Sequence, residues 1–390
     1  MQRRVPRIVV DLDKVRFINC GLGRFSLNLG REILKLSPGR IDPVLLIPRG
    51  VGHLFEGAGE TIDAVRWRRE SVQRFVRPIA RLLGSRRDAD LWHVTNQMSR
   101  YLPMDPEVPV LLTVHDLNFL HEPVRGVRRR RAAAKLADLR RRVDRACAVA
   151  TDSHFVAEEL SRNVDLAGRP LHVITLGVEP LGAASPARPS WMEPGPYLLT
   201  VGNCLPHKNF HSLLPILERL PYQRLVIAGK GATPYGEFLA REVSRRGLKS
   251  RVVMAGEVSD GEREWLYRHC DAFLFASVAE GFGLPALEAM LAGRPVLVSR
   301  LTSLPEVVGE HGGYLDLESP DADATKVRER IDLFKSDHSH AEAARMHAMS
   351  HSWSKTAMQY LELYERYSFR VTTPLAGRTA PMHARCAARP

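Results

Sequence analysis

The stretch DAFLFASVAEGFGLPALEAMLAGRPVLVS, residues 271–299, is the part of the chain from which the fold can be predicted. Its apolar run at 272–277 has the length and composition of a buried parallel strand. A glycine turn at 281–283 follows, and then a segment with helical spacing in which Pro285 takes a first-turn position, where a helix does not need its missing N–H. Residues 295–299 are the next predicted strand. The stretch therefore predicts one βαβ unit.

Two carboxylates, Glu280 and Glu288, flank the start of the predicted helix. The positive end of a helix and its free backbone N–H groups attract phosphate, whereas carboxylates accept strong hydrogen bonds from hydroxyls. A nucleotide sugar suits both features, because its phosphates lie between two hydroxyl-rich groups. On spacing alone, the alternative is an ordinary helix cap at Glu280 and a solvated Glu288.

The segment EGFGLPALEAM, residues 280–290, resembles the signature of the family 4 glycosyltransferases, with seven residues between its two glutamates. The resemblance continues through AGRPVLVSRLTSLPEVVGEHGGYLD, residues 292–316, which is similar to the segment that closes the donor site in that family. It implies an α/β protein of the GT-B fold, with two Rossmann-like doubly wound domains facing each other across a cleft. It also implies retaining transfer of a sugar from a GDP- or UDP-linked donor, with no bound metal and no other cofactor.

Length and composition agree with two domains and anionic partners. A chain of 390 residues can bury two cores, and a net charge of +12 favours anionic ligands or surfaces. The five cysteines have no CxxC spacing, which fits a reducing cytoplasm rather than a zinc site or a disulfide framework. No motif for nucleic-acid binding is present, so we expect no nucleic-acid partner.

The sequence also divides the chain. Residues 181–196 are rich in proline, alanine and glycine, which predicts a linker. We expect an acceptor domain over 1–180 and a donor domain over 197–352. By resemblance, a helix over 353–370 crosses back onto the first domain. Residues 371–390 have no periodic pattern, which predicts a disordered tail.

The first strand, predicted at residues 7–12, leads to Gly21, Gly23 and Arg24 before a helix. Glycines at this point allow a ligand phosphate to approach the backbone, although the pattern lacks the third glycine and the acidic partner of a dinucleotide site. The segment resembles the glycine loop that opens the N-terminal domain of the family. Its Arg24 could add positive charge to the donor site.

His115 and Asp116 follow the strand predicted at residues 110–114. Ligands bind at the carboxyl ends of strands in open α/β sheets, and a histidine that only bonds backbone at a loop start is the alternative. The segment TVHDLNFLHEP resembles a family segment whose histidine lies against the donor sugar. Asp116 would then orient the imidazole or serve the acceptor. The residues at 152–154 are predicted to cap a helix, and they resemble a family segment that lines the cleft.

In the second half, Lys208 stands in a glycine-led loop before a helix, which is a natural position for a diphosphate ligand; a solvated lysine is the alternative. A lysine of the family's donor site matches it. Many members also carry an arginine directly after the glycine, where this chain has Asn203, or just before the lysine, where it has His207. The usual clamp is therefore weakened, and Arg24 could replace it.

By resemblance, Glu280 holds sugar hydroxyls, Glu288 holds the ribose, and the loop at Val258 touches the base through its backbone. The other donor-site positions that match the motif are Gly281, Phe282, Gly283 and Leu284. The letters DLD at residues 11–13 match a metal-binding DxD in letters only, so we expect no metal ligand there.

The nearest resemblance within the family is to bacterial mannosyl- and rhamnosyltransferases of surface polysaccharide and lipopolysaccharide assembly. The acceptor would be a glycan or a lipid-linked glycan at the inner face of the cell membrane. The segment that begins at Arg125 and ends at Arg145 predicts an amphipathic helix with a basic face that docks on an anionic membrane; a solvated helix is the alternative. A nucleotide-sugar epimerase or hydrolase of the same fold, or a non-catalytic anion-binding relative, are alternative functions.

Overall fold

The structure is a computed structural model that describes residues 4–64, 89–121, 127–182 and 185–368, with the side chains of 127–129 left out. The disordered tail predicted over residues 371–390 lies outside these residues.

The first half of the chain forms a parallel sheet of seven strands in the order β3-β2-β1-β4-β5-β6-β7. The strands are β1 (Arg7–Asp11), β2 (Asp42–Ile47), β3 (Glu60–Asp63), β4 (Leu91–Val94), β5 (Val110–Val114), β6 (Ala148–Thr151) and β7 (Leu171–Val173). The strand order reverses between β1 and β4, which is where ligands bind in sheets of this type.

The second half forms a parallel sheet of six strands in the order β10-β9-β8-β11-β12-β13. The strands are β8 (Tyr197–Val201), β9 (Arg224–Ala228), β10 (Val252–Gly256), β11 (Ala272–Phe275), β12 (Val296–Ser299) and β13 (Gly313–Leu315). Here the order reverses between β8 and β11. The fold predicted from the sequence, two doubly wound α/β units, is confirmed.

Helices connect the strands and cover the sheets. They are α1 (Gly21–Leu36), α2 (Val127–Arg145), α3 (His154–Asn163), α4 (Leu213–Glu218), α5 (Pro234–Arg245), α6 (Asp260–His269), α7 (Leu284–Leu291), α8 (Leu304–Val308), α9 (Pro320–Ser336), α10 (Ser339–Met349) and α11 (Trp353–Ser368). Every residue of β5 and β11 is buried, as expected of parallel strands covered on both faces. Among the described residues, no helix is both long enough and apolar enough to cross a membrane.

Local sequence accounts for several helix starts. Ser259 and Glu262 form a complete capping box at the beginning of α6. Ser153 caps α3, because its side chain accepts a hydrogen bond from the Val156 N–H. The last helix, α11, lies against the first sheet, where the Tyr364 hydroxyl shares a 2.7 Å hydrogen bond with the buried His93 of β4.

The structure differs from the sequence prediction in a few elements. The sequence predicted no strand at β3 or β13 and no helix at α5. The glycine pair that we expected in a loop lies inside α1, which already begins at Gly21. Gly23 is needed there for packing, since an added Cβ would lie 2.0 Å from the Phe17 carbonyl oxygen.

Candidate active site

A cavity of about 380 Å³ lies between the carboxyl ends of the two sheets. Every site residue predicted from the sequence lines this cavity except Gly23, whose backbone packs against Phe17. The predicted residues that the fold brings together are Gly21, Arg24, His115, Asp116, Asn203, His207, Lys208, Val258, Glu280, Gly281, Phe282, Gly283, Leu284 and Glu288. Their individual roles remain predictions.

Lys208 and Glu280 form an ion pair on the second-domain side of the cavity. The Lys208 ammonium lies 2.5 Å from Oε1 of Glu280, and the Ser277 hydroxyl lies 2.5 Å from the same oxygen. The two charged side chains are only 14% and 12% exposed, so little solvent screens them. An ammonium has three N–H donors, so Lys208 can keep its bond to Glu280 and still donate to a phosphate.

Helix α7 points its N-terminus at the cavity beside this pair. Gly283 precedes the helix with a φ of 119°, a conformation that favours glycine, and an added Cβ would meet the Leu304 side chain at 2.7 Å. Pro285 occupies the first turn. The positive end of α7 thus lines the same cavity as Lys208, which gives the cavity a local preference for phosphate.

His115 is held from both sides at the end of β5. Its Nδ1 lies 2.6 Å from the Asp152 carboxylate and its Nε2 lies 2.7 Å from the Thr95 carbonyl oxygen. Because a carbonyl only accepts, Nε2 carries a hydrogen. Burial would lower the pKa of His115, but the Asp152 carboxylate and the two hydrogen bonds raise it above its ordinary value. Burial raises the pKa of Asp152, and at 2.6 Å one hydrogen lies between Nδ1 of His115 and the Asp152 carboxylate.

The carboxylate that orients the imidazole is therefore Asp152, and the expectation that Asp116 does so was wrong. Asp116 bonds locally instead, since its Oδ1 accepts from the Asn118 N–H at 3.0 Å. The sequence did offer a signal for Asp152, because it directly follows β6 at the same sheet edge as His115. Because Asp152 directly precedes the capping Ser153, the sequence predicts a helix cap at this position and not that role. Whether Asp116 serves the acceptor stays a prediction.

Arg24 bridges the two domains. Its guanidinium contacts the Glu179 carboxylate at 3.2 Å and the Asp260 carboxylate of α6. The arginine side chain is 14% exposed, so two carboxylates already compensate a largely buried charge. Its predicted contact with a diphosphate would require part of this arrangement to change.

Arg263 of α6 was missed by the sequence reasoning. Its Nε lies 3.9 Å from the Glu288 carboxylate, and its guanidinium is 3.4 Å from Asp260. Arg263 lines the cavity together with Glu288, so it stands where the ribose of a donor is expected. Arg263 occupies the first turn of α6, the helix that follows β10. Because ligands bind at the carboxyl ends of strands in such sheets, this position was a usable signal in the sequence.

Asn203, which stands where many family members carry an arginine, ties two loops together. Its Oδ1 accepts from the Lys230 N–H at 3.1 Å, which joins the loop after β8 to the loop after β9. The two loops touch closely, because an added Cβ on Gly229 would lie 2.2 Å from the Gly202 carbonyl oxygen. Asn203 therefore holds the two loops together at the rim of the cavity, and its side chain carries no charge.

Two doubly wound domains that face each other across a cleft are the architecture of the GT-B class of glycosyltransferases. Comparison with known families agrees: residues 20–180 match the model described as Glycosyltransferase Family 4, and residues 184–351 match that described as Glycosyl transferases group 1. The chain therefore belongs to the family 4 and group 1 glycosyltransferases, and it is a glycosyltransferase enzyme. The resemblance predicted from the motif at 280–290 is confirmed.

Individual relatives carry more specific names. O-antigen chain mannosyltransferase B of Escherichia coli is 26% identical over 394 residues, which cover 92% of this chain and 99% of the relative. The serotype-specific mannosyltransferase WbdA of Escherichia coli is 29% identical over 244 residues, which cover 57% of this chain and 29% of that longer protein. Among solved structures, Anabaena HepE in complex with UDP and glucose matches with a TM-score of 0.69 at 17% identity, over 93% of this chain and all of HepE.

Proposed function

We propose that this glycosyltransferase moves a hexose or deoxyhexose, with mannose the first candidate, from a GDP- or UDP-linked donor to a hydroxyl of a glycan or lipid-linked glycan. The observation that carries the proposal is the Lys208–Glu280 pair at the N-terminus of α7, inside the cleft between the sheets. The names of the relatives, two O-antigen mannosyltransferases, support mannose and surface polysaccharide assembly.

In this proposal the second domain binds the donor. Lys208 and the N-terminus of α7 stabilise the charge that develops on the leaving diphosphate, and stabilisation of this kind is usually the largest catalytic contribution. Glu280 accepts hydrogen bonds from sugar hydroxyls, and Glu288 accepts them from the ribose. Both glutamates can do so because each lines the same cavity.

We propose retention of the anomeric configuration, with the departing phosphate taking the proton of the acceptor hydroxyl. Both ring nitrogens of His115 are already hydrogen-bonded, to Asp152 and to Thr95. The imidazole is therefore placed to shape the sugar site and to set its electric field rather than to remove a proton. The chain's own cation and helix terminus supply positive charge for the diphosphate, which supports turnover without a metal.

Transfer assays with purified protein test this function. GDP-mannose, UDP-glucose and dTDP-rhamnose are offered with a synthetic lipid-linked glycan acceptor, in the presence and absence of EDTA. We expect transfer from one donor, undiminished by EDTA, and proton NMR of the product should show the anomeric configuration of the donor. Hydrolysis without transfer would favour the hydrolase or epimerase alternative, and no binding of any donor would favour the anion-binding one.

We also propose that the basic surface of α2 holds the enzyme on the anionic inner face of the cell membrane. Leu139 and Val143 of this helix are buried in the protein, so its apolar stripe is not free to insert into lipid. Its outward side carries exposed arginines at Arg130, Arg131, Arg140 and Arg141. Attachment would therefore be electrostatic, at about 1 kcal/mol for each basic residue at an anionic leaflet.

Liposome co-sedimentation tests the attachment. Binding to vesicles that contain phosphatidylserine should fall with salt, because charges are screened over about 10 Å at 0.1 M. It should also fall when Arg130, Arg131, Arg140 and Arg141 are changed to glutamine. The matched control changes Arg241, Arg245, Lys249 and Arg328, exposed cations of the second domain, and removes the same net charge. Equal binding by both variants would contradict attachment through α2.

A further inference from the structure

One group of hydrogen bonds crosses the cleft beside the donor site. The Ser153 hydroxyl donates to the Gly281 carbonyl oxygen at 2.7 Å. The Glu306 carboxylate accepts from the backbone N–H groups of His154 at 2.9 Å and Phe155 at 3.2 Å. We name this group, formed by residues 153–155 of the first domain and by Gly281 and Glu306 of the second, the closure contact.

On the first-domain side, the closure contact completes the N-terminus of α3. A helix leaves its first N–H groups without partners, and nearby side chains usually satisfy them. Ser153 does so for Val156, but the N–H groups of His154 and Phe155 bond to a carboxylate about 150 positions away in the sequence. A carboxylate also suits the positive end of a helix. The end of α3 therefore gains its full set of partners only while the cleft is closed.

On the second-domain side, the turn that carries Glu306 also supports the donor-site loop over residues 280–283. Ser303, which precedes α8, is fully buried, and its hydroxyl lies 2.7 Å from the Phe282 carbonyl oxygen and 3.1 Å from that of Glu280. Glu306 follows three positions later, on the same face of one helical turn. A displacement of this turn would therefore disturb both the N-terminus of α3 and the donor-site loop.

The donor-site loop is fitted closely to the first domain at the same place. An added Cβ on Gly281 would lie 1.8 Å from the His115 carbonyl oxygen. The loop therefore rests on the segment that presents His115, and it can do so only in the closed arrangement.

We propose that Glu306 is a positioning residue that couples closure of the cleft to the arrangement of the donor-site loop. The inference deepens the proposed function and rests on it for the identity of the donor. Glu306 acts through α3 on one side and through the turn of α8 on the other. Its loss should leave binding of the nucleoside diphosphate to the second domain nearly intact and should slow the step that needs both domains.

Hydrogen–deuterium exchange tests the closure directly and needs no substrate. In Glu306→Ala, the amides of His154 and Phe155 should exchange faster than in the wild type, and the peptide that covers residues 280–283 should follow. Glu306→Gln keeps an acceptor oxygen and should show an intermediate effect. Glu310→Ala is the matched control, because this glutamate stands four positions further on and its side chain is 90% exposed.

Kinetics test the coupling. We expect kcat to fall about tenfold in Glu306→Ala, as for the loss of hydrogen bonds to a charged group, with partial recovery in Glu306→Gln and less than a twofold change in affinity for the nucleoside diphosphate. Unchanged exchange at residues 154–155, or an equal loss of kcat in Glu310→Ala, would overturn the proposal. So would faster exchange with an unchanged kcat.

The two proposals fail in different ways. A wild-type protein that binds no nucleotide sugar but shows the expected exchange differences would contradict the proposed function and leave the closure contact standing. A wild-type protein that transfers sugar, and whose Glu306 variants behave like Glu310→Ala, would contradict only the role of Glu306.

Discussion

The two faces of the cleft are built in different ways. On the second-domain face, Glu280, the glycine loop and the start of α7 come from one short stretch, and Lys208 joins them from one neighbouring loop. On the first-domain face, His115 is oriented by Asp152 and by Thr95. These three residues follow three different strands. Phosphate binding at a helix terminus is thus encoded locally, whereas orientation of a histidine depends on how the whole sheet is assembled.

The largest expected effect comes from the locally encoded face. Glu280→Gln should lower kcat by up to about 100-fold, because charged hydrogen bonds to sugar hydroxyls are worth about 1.5–3 kcal/mol each. The change also removes the partner of Lys208. Steady-state kinetics at saturating donor measure it, with circular dichroism to show that the fold survives. Turnover near that of the wild type would mean that this face is not the sugar site.

Lys208→Ala should weaken binding of the nucleoside diphosphate product by about 30-fold, because truncation of a buried charge contact to phosphate costs a few kcal/mol. Isothermal titration calorimetry measures the affinity. Lys230→Ala is the control, since this exposed lysine lies on the neighbouring loop after β9. Unchanged affinity in Lys208→Ala would move the diphosphate contact to Arg24, His207 or Arg263.

Asp152→Asn tests the first-domain face, where the orientation of His115 depends on the assembly of the sheet. Without the carboxylate, burial should lower the pKa of His115 and leave it neutral. The wild-type pair binds a proton that the variant lacks, so the stability advantage of the wild type should be largest near pH 5.5 and should shrink as pH rises through the raised pKa of His115. The expected slope is at most about 1.4 kcal/mol per pH unit.

Thermal unfolding of both proteins between pH 5.5 and 8.5 measures this difference. Asp116→Asn serves as the control, because the Asp116 carboxylate bonds to a backbone N–H and not to the imidazole. A difference between wild type and Asp152→Asn that does not change with pH would show that the pair holds no shared proton.

Ser277→Ala should have the smallest effect. The hydroxyl lies 2.5 Å from Oε1 of Glu280 and 3.0 Å from the His207 carbonyl oxygen, so it holds the glutamate without contacting the donor. Because the hydroxyl has one hydrogen for two acceptors, we expect its loss to cost only about 1 kcal/mol, which corresponds to about a fivefold loss of kcat. Ser299→Ala, which removes a buried hydroxyl that bonds to the Ser277 carbonyl oxygen, is the comparison. An equal loss in both variants would indicate general loosening of the loop.

The comparison between the faces also explains what the sequence could predict. The resemblance to the family placed Glu280, Glu288 and Lys208 at the cleft, where the structure has them, whereas the strand, loop and helix of residues 271–299 follow from local periodicity. The same reasoning placed His115 and Asp116 at the sheet edge, because both follow a recognisable strand.

What the sequence could not predict depends on contacts between distant segments. Gly23 looked like part of a phosphate loop, but it packs against the Phe17 carbonyl oxygen, which leaves no room for a Cβ. Arg24 looked like a free cation, but it contacts Glu179 of its own domain and Asp260 from the other side of the cleft. In each case the decisive partner lies on another element, and no periodicity or spacing in the sequence points to it.

The ion pair between Lys208 and Glu280 has a consequence for product release. A ligand that brings only phosphate divides the N–H donors of Lys208 between the phosphate and Glu280, whereas a nucleotide sugar offers phosphate to the lysine and hydroxyls to the glutamate. Once the sugar has been transferred, the remaining nucleoside diphosphate no longer satisfies the glutamate, and the two side chains can pair again. We therefore expect the empty pair to compete with the product for the site and to speed its departure.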